Sequence, residues 1–253
     1  MKHNNLIAID IGNTNITVGV FKGRRLAAKA KMPTAAFSRY ENTMRRLLRK
    51  AGCLSCGDCA AAISCVVPAA LPKLKKALRR ICASCPAYVL GRDIRVPIRN
   101  NYARPQEVGE DRLVNAFAAR EIYGAPAVVI DFGTAVTFDC VSRKGAYLGG
   151  LIMPGIEISL EGLYEKTALL PKIRLAKSSS AIGRTTRDSM RSGILFGFGS
   201  ACDGLVAKYR KLLGAPLKVI ATGGSSSIVR QYTGSIDAVD EDLTLKGIRL
   251  AVK

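Results

Sequence analysis

Histidine and tryptophan are the scarcest residues in this sequence of 253 amino acids. Tryptophan is absent, and the one histidine, His3, stands almost at the start of the chain. Ser-His-Asp and Cys-His catalysis both need a histidine beside the nucleophile, so this composition argues against them. It also argues against a metal site built on histidine. Any acid–base catalysis must therefore use carboxylates, lysines or tyrosines.

Long apolar runs are also missing. No stretch of about 18 consecutive apolar residues occurs, so we expect no membrane-spanning helix. Asp10 interrupts the first apolar segment, which is not typical of a secretory signal peptide, and we expect a cytoplasmic protein. With 48% hydrophobic and 23% charged residues, the chain has the composition of an ordinary globular protein of one large or two small domains.

Acidic residues are few: the chain has 19 Asp and Glu against 39 Lys and Arg, a net charge of +20. Such an excess fits either a surface that binds nucleic acid or a basic but otherwise ordinary enzyme. The basic residues are spread along the chain, with modest clusters at 45–50 and 73–80 beside leucines, as on a solvated helix face. We favour the ordinary enzyme and expect no nucleic-acid partner.

Cysteine, in contrast, is frequent, with eight residues. Five of them form two groups with Cys-x-x-Cys spacing: Cys53, Cys56, Cys59, Cys82 and Cys85. Four thiolates could hold Zn²⁺ or an iron–sulfur cluster, whereas reduced thiols in a cytosolic protein would imply no bond at all. We favour free thiols, because a core of this size needs no metal to be stable.

Apolar segments bounded by glycine, proline and polar residues predict alternating strands and helices. The predicted strands include Leu6–Ile9, Ile16–Phe21, Ala60–Val67, Ala87–Leu90, Ala127–Ile130 and Leu217–Ala221. The predicted helices include Arg39–Lys50, Pro72–Ile81, Asp111–Tyr123 and Thr186–Tyr209. This alternation indicates an α/β protein.

An internal repeat is the most informative feature of the sequence. The segment Asp10–Thr17 is matched, roughly half the chain further on, by Asp131–Phe138. Each copy follows an apolar strand and precedes a second strand. We interpret the chain as two tandem α/β halves with a cleft between them, against the alternative of two unrelated hairpins.

The Asp-x-Gly-[Asn/Thr] turn in each copy suits phosphate binding. Glycine lets backbone N–H groups approach phosphate oxygens closely, and an aspartate at a strand end can hold a metal ion near them. A third glycine turn, Thr222-Gly223-Gly224, follows another predicted strand. This combination resembles the acetate and sugar kinase/Hsp70/actin superfamily. The resemblance implies two ribonuclease-H-like (actin-like ATPase) domains, residues 1–110 and 111–253, with an interdomain nucleotide cleft.

A set of motifs in fixed order narrows the resemblance to one family. The motifs are Asp10–Ile16, Glu107–Ala116, Asp131–Ala135, Gly149–Gly155, Thr167–Pro171, Ile182–Thr186 and Ala221–Gly224. Together they resemble the type III pantothenate kinase family, from residue 6 to Gly247. The cysteine-rich segment and the high positive charge are not part of that pattern.

The resemblance implies an activity: ATP-dependent phosphorylation of pantothenate to 4′-phosphopantothenate, the first step of coenzyme A synthesis. It further implies ATP as co-substrate, Mg²⁺, a monovalent cation (K⁺ or NH₄⁺) and a homodimer. An alternative is a non-catalytic, nucleotide-binding regulator of the same fold. We favour the enzyme because a degraded paralogue would be expected to lack at least one of Asp10, Asp111, Asp131 and Thr186, and all four are present.

Individual roles also follow from the resemblance, motif by motif. ATP binding is implied for Asp10, Ile11, Gly12, Asn13, Thr14, Asn15, Ile16, Thr17 and Thr134. Pantothenate binding is implied for Tyr102, Gly109, Glu110, Asp111, Arg112 and Thr186, with Asp111 as the general base. Asp131 resembles the ligand of the monovalent cation, and Asp10 is placed near Mg²⁺.

Simpler interpretations of the same residues remain open at this point. Asp111 could be an acid that favours the dipole at the start of a helix, and Arg112 a solvated surface residue. Tyr102 could be a half-buried loop anchor. Glu110 departs from the family, which usually has a small or apolar residue there, and a second carboxylate could alter the ionisation of the base.

Overall fold

The computed structural model describes residues 5–53 and 59–252 as an α/β protein with two five-stranded sheets. The chain divides into two compact units: unit 1 holds 5–53, 59–98, 103–118 and 242–252, and unit 2 holds 99–102 and 119–241. Each unit is thus made of segments that are not continuous along the chain. The domain boundary between residues 110 and 111 that the resemblance implies stays a prediction. None of the helices among the described residues is long and apolar enough to cross a bilayer.

Unit 1 is built on a mixed sheet with helices packed on it. Its elements, in chain order, are β1 (Asn5–Ile11), β2 (Asn15–Lys22), β3 (Arg25–Pro33), α1 (Tyr40–Lys50), β4 (Cys59–Cys65), α2 (Leu71–Ile81), β5 (Ala87–Val89) and the greater part of α3 (Glu110–Tyr123), whose residues from 119 onward group with unit 2. The strand order is β3-β2-β1-β4-β5. The strands β1, β2 and β3 are antiparallel, and β4 and β5 run parallel to β1.

The sequence pattern explains these elements. Strand β4 is buried along nearly its whole length, as expected for a central parallel strand covered on both faces. Helix α1 places Met44, Leu47 and Leu48 against the sheet, at the spacing of one helix face. Helix α2 does the same with Leu74 and Leu78. Apolar burial on the sheet therefore accounts for both helices, which carry their basic residues on the other side.

Unit 2 repeats the same plan. Its elements are β6 (Ala127–Phe132), β7 (Ala135–Val141), β8 (Tyr147–Pro154), α4 (Ile156–Glu165), α5 (Thr186–Leu213), β9 (Lys218–Thr222), α6 (Ser226–Val229) and β10 (Ala238–Val239). The order β8-β7-β6-β9-β10 matches β3-β2-β1-β4-β5 strand for strand, with the same directions. The internal repeat predicted from the sequence is thereby confirmed.

The two repeated turns differ by one residue. Asp10 pairs with Thr17 across the first hairpin, whereas Asp131 pairs with Thr137 across the second. The second turn is therefore shorter, and the position-by-position match of Thr17 with Phe138 is wrong. A one-residue shift reverses which face a strand residue points to, so only the structure settles this register.

The last helix, α7 (Leu243–Ala251), belongs to unit 1 and packs against β1, β2 and β4. No helix is predicted from the sequence in this segment. Its signals are weak, because the segment is short, contains Thr244 and Gly247, and has no side-chain hydrogen bond at its N-cap. Packing of Leu243, Leu245 and Ile248 stabilises it instead.

Candidate active site

The first glycine turn joins β1 to β2 and has an exposed tip. Asn13 and Thr14 are exposed, and the Gly12 N–H donates to Asn15 O at 3.0 Å. Ile11 and Ile16 are fully buried, so only their backbone can contribute to a phosphate site. Asp10 stands half-buried at the end of β1. The turn thus presents backbone and short polar side chains, the groups that phosphate binding requires.

Thr34 holds this turn in place, and the sequence analysis missed it. Its N–H donates to Thr14 O at 3.0 Å, and its Oγ1 donates to Gly12 O at 2.7 Å. The Tyr40 hydroxyl in turn donates to Thr34 O. These buried contacts link the turn to the start of α1, and only the folded chain brings the two segments together.

Ser64 is a second residue that the sequence analysis missed. It lies next to Asp10 in the parallel pairing of β1 with β4. It is fully buried, and its Oγ has no hydrogen-bond partner among the residues that the structure describes. A buried hydroxyl without a partner is uncommon, and a bound water or ion is one of its common explanations. Its only sequence signal is a polar residue near the end of a buried strand.

The predicted base, Asp111, lies in the first turn of α3. Its Oδ1 accepts a hydrogen bond from the Arg112 N–H at 2.9 Å. A Cβ at Gly109 would lie 2.5 Å from the same oxygen, so a side chain at position 109 would displace the carboxylate. Glycine at 109 is therefore required for the carboxylate to fold back over the start of the helix.

Burial raises the pKa of Asp111, and the neighbouring Arg112 partly opposes this effect. Burial also raises the pKa of Glu110, and the charge of Asp111 raises it further. The Glu110 side chain lies over Gly91, where a Cβ would stand 2.2 Å from Oε1. Two adjacent carboxyl groups with raised pKa values are typical of a site that handles protons.

Val66 brings the first turn and the predicted base together. Its N–H donates to Ile11 O at 3.1 Å, directly beside the glycine turn. Its Cγ1 would lie 3.6 Å from a Cβ at Gly109, whose backbone supports Asp111. The phosphate-type turn and the half-buried carboxylate therefore share one neighbour within unit 1.

In unit 2, Asp131 ends β6 between two glycine turns. A Cβ at Gly223 would lie 2.4 Å from Asp131 Oδ1, and one at Gly133 would lie 3.4 Å away. Gly223 has φ of +87°, which side-chain-bearing residues rarely adopt. The second repeat turn and the third glycine turn thus meet at this carboxylate.

The other predicted site residues of unit 2 lie on separate elements. Thr134 is exposed, and its carbonyl group packs closely on Gly155 at the start of α4. Thr186 is exposed at the first residue of α5, after the cap Thr185, whose Oγ1 accepts from the Asp188 N–H at 3.2 Å. Tyr102 lies half-buried beside β8.

The cysteines form no evident metal centre in the described part of the chain. Residues 5–53 and 59–252 contain no group of three or more His, Cys, Asp or Glu side chains that could hold a metal ion. Cys53, Cys59 and Cys82 are buried, and Cys85 is partly exposed. Cys56 and His3 lie outside the described residues. Our expectation of free thiols stays a prediction.

Known proteins that resemble this chain in sequence define its protein class and its family. The type III pantothenate kinase family model matches residues 6–208. A protein named type III pantothenate kinase from Myxococcus xanthus is 41% identical over 248 residues, covering 97% of this chain and 96% of its own. Another of that name from Halalkalibacterium halodurans is 39% identical over 251 residues, covering 98% of each chain. The chain is a kinase-fold protein, and it belongs to the type III pantothenate kinase family, which confirms the resemblance seen in the sequence.

Solved structures support the fold alone. An inorganic polyphosphate/ATP-glucomannokinase from Arthrobacter sp. strain KM aligns with a TM-score of 0.50 at 16% identity, covering 98% of each chain. A Campylobacter jejuni protein, provisionally described as a Baf family transcriptional activator, aligns with a TM-score of 0.53 at 18% identity, covering 97% of this chain and 96% of its own. The predicted class, two tandem ribonuclease-H-like domains, is confirmed.

Proposed function

We propose that the chain transfers the γ-phosphoryl group of ATP to the primary hydroxyl of pantothenate, giving 4′-phosphopantothenate, the first step of coenzyme A synthesis. The observation that carries this proposal is the half-buried Asp111 carboxyl group, which lies close to a phosphate-type turn. Its raised pKa strengthens it as a proton acceptor for an alcohol, and the one histidine of the sequence, His3, lies outside the described residues. Both substrates are cytoplasmic metabolites, and we place the protein in the cytoplasm.

ATP phosphates are assigned to the turn from Asp10 to Thr17 and to Thr134. The exposed Asn13, Thr14 and Thr134 can donate side-chain hydrogen bonds, and Gly12 leaves the backbone accessible. Phosphoryl transfer depends mainly on positioning and electrostatic stabilisation, which this set of donors supplies. Thr34 keeps the turn in shape.

Mg²⁺ fits the oxygen donors at the ends of β1 and β4. The Asp10 carboxylate and the Ser64 hydroxyl are hard oxygen ligands of the kind that Mg²⁺ prefers, directly or through a bound water. The buried Ser64 Oγ, which lacks a partner among the described residues, supports this assignment. When bound, Mg²⁺ would neutralise charge on the ATP phosphates.

The monovalent cation fits Asp131. Its carboxylate lies against the backbone of Gly133 and Gly223, in a space that a Cβ would fill. Such a space, lined by a carboxylate and peptide groups, suits K⁺ or NH₄⁺. We assign Asp131 as a ligand of this ion.

Pantothenate is assigned to Tyr102, the segment Gly109–Arg112 and Thr186. The Arg112 guanidinium can pair with the substrate carboxylate as a fork donor. Asp111 accepts the hydroxyl proton as the oxygen attacks the γ-phosphorus. The tyrosine ring offers an apolar face for the dimethyl group of the substrate.

A homodimer is part of the proposal. Unit 2 exposes large apolar side chains on β8 and α4, including Ile152 and Ile158, and nearby Leu169 is 90% exposed. A small apolar cleft of about 140 Å³ lies between β8 and α5, lined by Met153, Gly193, Gly197 and Phe198. Exposed apolar surface of this kind is typical of subunit contacts. Light scattering should give twice the chain mass of 27.1 kDa, and a monomer would contradict this part.

The activity is tested with purified protein, ATP, MgCl₂ and KCl. We expect ADP and 4′-phosphopantothenate in equal amounts, detected by a coupled assay and by mass spectrometry. ADP formation that does not depend on pantothenate, or nucleotide binding without turnover, would contradict the enzyme. The second outcome would favour the regulatory paralogue, and a glucose control separates pantothenate specificity from general sugar kinase activity.

A further inference from the structure

A buried carboxyl group lies behind Tyr102 in unit 2, and the proposed reaction does not use it. Asp139 and Tyr147 are both fully buried. The Tyr147 hydroxyl donates to Asp139 Oδ1 at 2.9 Å, and Thr137 Oγ1 donates to Asp139 Oδ2 at 2.9 Å. A buried acidic side chain is costly to retain unless it is well bonded. Here both oxygens are bonded, which fixes the position of the Tyr147 ring.

Tyr147 also binds the segment Arg99–Tyr102 through its backbone. The Tyr147 N–H donates to Arg99 O at 2.8 Å, and Tyr147 O accepts from the Asn101 N–H at 2.9 Å. The segment thus adds a short parallel bridge to the first residue of β8. These four residues group with unit 2, although the residues on both sides of them group with unit 1.

The Tyr102 ring rests on two neighbours that are both part of this arrangement. Its centroid lies 6.3 Å from that of Tyr147, with the planes inclined at 44°. A Cβ at Gly149 would lie 2.9 Å from Tyr102 Cδ2 and Cε2, so only glycine leaves room for the ring. The Tyr102 N–H donates to Asn100 Oδ1 at 3.0 Å. Tyr102 as a whole is half-buried.

We propose that Asp139 and Tyr147 are positioning residues for pantothenate: the buried carboxyl group fixes Tyr147, and Tyr147 fixes the angle of the Tyr102 ring against the substrate. This inference rests on the proposed function, in which Tyr102 contacts pantothenate. Both residues are fully buried, so we expect neither of them to touch the substrate or ATP. Their effect is therefore on the pantothenate KM and not on ATP binding.

Tyr147→Phe tests this inference, because it removes only the hydroxyl that bonds Asp139. We expect the KM for pantothenate to rise by about 3- to 10-fold, since small misplacements of a binding group are costly. The KM for ATP should stay within about twofold of the wild-type value. Tyr123→Phe is the matched control, because the Tyr123 hydroxyl donates to the Asp240 carboxyl group at 3.0 Å elsewhere in unit 2. Tyr123→Phe should lower the melting temperature by about as much as Tyr147→Phe does, but it should leave the pantothenate KM unchanged.

A double-mutant cycle separates positioning from general loss of structure. In a Tyr102→Ala background, Tyr147→Phe should have no further effect on the pantothenate KM, because the ring that it positions is gone. Multiplicative effects of the two changes would overturn the inference. If Tyr147→Phe does not fold, Asp139→Asn, which keeps the shape of the side chain, is measured in its place against the same control.

The outcomes distinguish this inference from the proposed function. A wild-type protein that does not phosphorylate pantothenate would overturn both. An active wild-type protein whose Tyr147→Phe variant matches Tyr123→Phe in pantothenate KM would overturn the positioning role alone. A KM change that is specific to pantothenate and lost in the Tyr102→Ala background would support it.

Discussion

At the scale of single residues, the chemistry concentrates in two neighbouring carboxyl groups. Asp111 matches a pattern that resembles a known base, but Glu110 does not. The structure places the Glu110 side chain over Gly91 and leaves its Oε2 without a hydrogen-bond partner among the described residues. Burial and the charge of Asp111 both raise the pKa of Glu110. The departure from the family pattern therefore has a physical consequence, because it adds a second proton-binding group beside the base.

Asp111→Asn tests the base. The amide keeps the size of the side chain but cannot accept the hydroxyl proton, so we expect kcat to fall by about 10²- to 10⁴-fold. The affinity for ATP, measured by calorimetry, should be nearly unchanged, because Asp111 is not part of the turns that are proposed to bind the ATP phosphates. Asp242→Asn, at an exposed ion pair with Lys29, is the control and should keep full activity. More than a third of wild-type turnover in Asp111→Asn would rule out the assignment.

Glu110→Gln tests how much the second carboxyl group destabilises the folded protein. A folded-state pKa above the reference value of 4.5 means that ionising Glu110 destabilises the folded protein as pH rises through that pKa. The variant should therefore melt at a higher temperature than wild type at pH 8, and the difference should shrink as pH falls toward about 4. Glu157→Gln, in the first turn of α4, is the control for the helix dipole. A difference that is independent of pH would contradict this account.

Asp131 provides a third test at this scale. If it holds K⁺ or NH₄⁺, activity should fall by about tenfold or more when Na⁺ replaces K⁺, the equivalent of about 1.4 kcal/mol in the barrier. Asp131→Ala should show the same low activity, and added K⁺ should not restore it. Rates are compared at constant ionic strength. Equal rates in the two salts would contradict the assignment of Asp131 as a ligand of K⁺ or NH₄⁺.

At the scale of elements, the packing of the last helix depends on one glycine. A Cβ at Gly247 in α7 would lie 2.6 Å from Val114 O and 2.7 Å from Val114 Cγ1, both on α3. Because α3 also begins with the predicted base, the contact of α7 with α3 supports the element that carries the chemistry. Thr244 adds a hydrogen bond to Asn115 Oδ1 at 2.7 Å.

Gly247→Ala should therefore destabilise the protein by about 1–3 kcal/mol, the usual cost of an overpacked contact. Gly204→Ala is a matched control within α5, where a Cβ would have no neighbour within 4 Å. That change should stabilise the protein by up to about 1 kcal/mol, because alanine favours helix over glycine. Urea denaturation measures both changes. Stabilisation by both changes would show that helix propensity outweighs the contact with α3.

At the scale of the whole molecule, the net charge of +20 should oppose the compact state through self-repulsion. Helices α1 and α2 contribute to this, because their outward faces carry many basic residues, whereas Glu41 is the one acidic residue along their described length. Two arginines form ion pairs with Glu41: an Arg45 guanidinium nitrogen lies 3.0 Å from its Oε1, and an Arg80 guanidinium nitrogen lies 3.7 Å from its Oε2. The basic residues of these two helices therefore far outnumber their acidic residues.

Raising NaCl from about 20 to 300 mM should thus raise the melting temperature, since the screening length falls from roughly 20 Å to below 10 Å. Sodium is used because K⁺ is proposed to bind at Asp131. Sucrose at equal osmolality serves as the uncharged comparison. A melting temperature that does not change with salt would mean that the charges are too far apart to repel significantly.

Much of this protein could be predicted from local patterns. The apolar periodicities of β1, β4, α1, α2 and α3 place these elements within a few residues of their observed bounds, because burial on one face leaves a direct mark on the sequence. The repeat of Asp10–Thr17 at Asp131 was sufficient to predict two similar sheets. The motif order identified the family and most of the candidate site residues.

Other features depend on contacts between distant segments, which local sequence patterns do not reveal. The unequal length of the two turns, the return of α7 to unit 1 and the bonding of Asp139 to Tyr147 leave no periodic signal. Thr34 and Ser64 are likewise ordinary residues until folding places them beside Gly12 and Asp10. Local sequence determines which segments can be strands or helices, whereas packing determines which side chains meet, because each such contact depends on two parts of the chain at once.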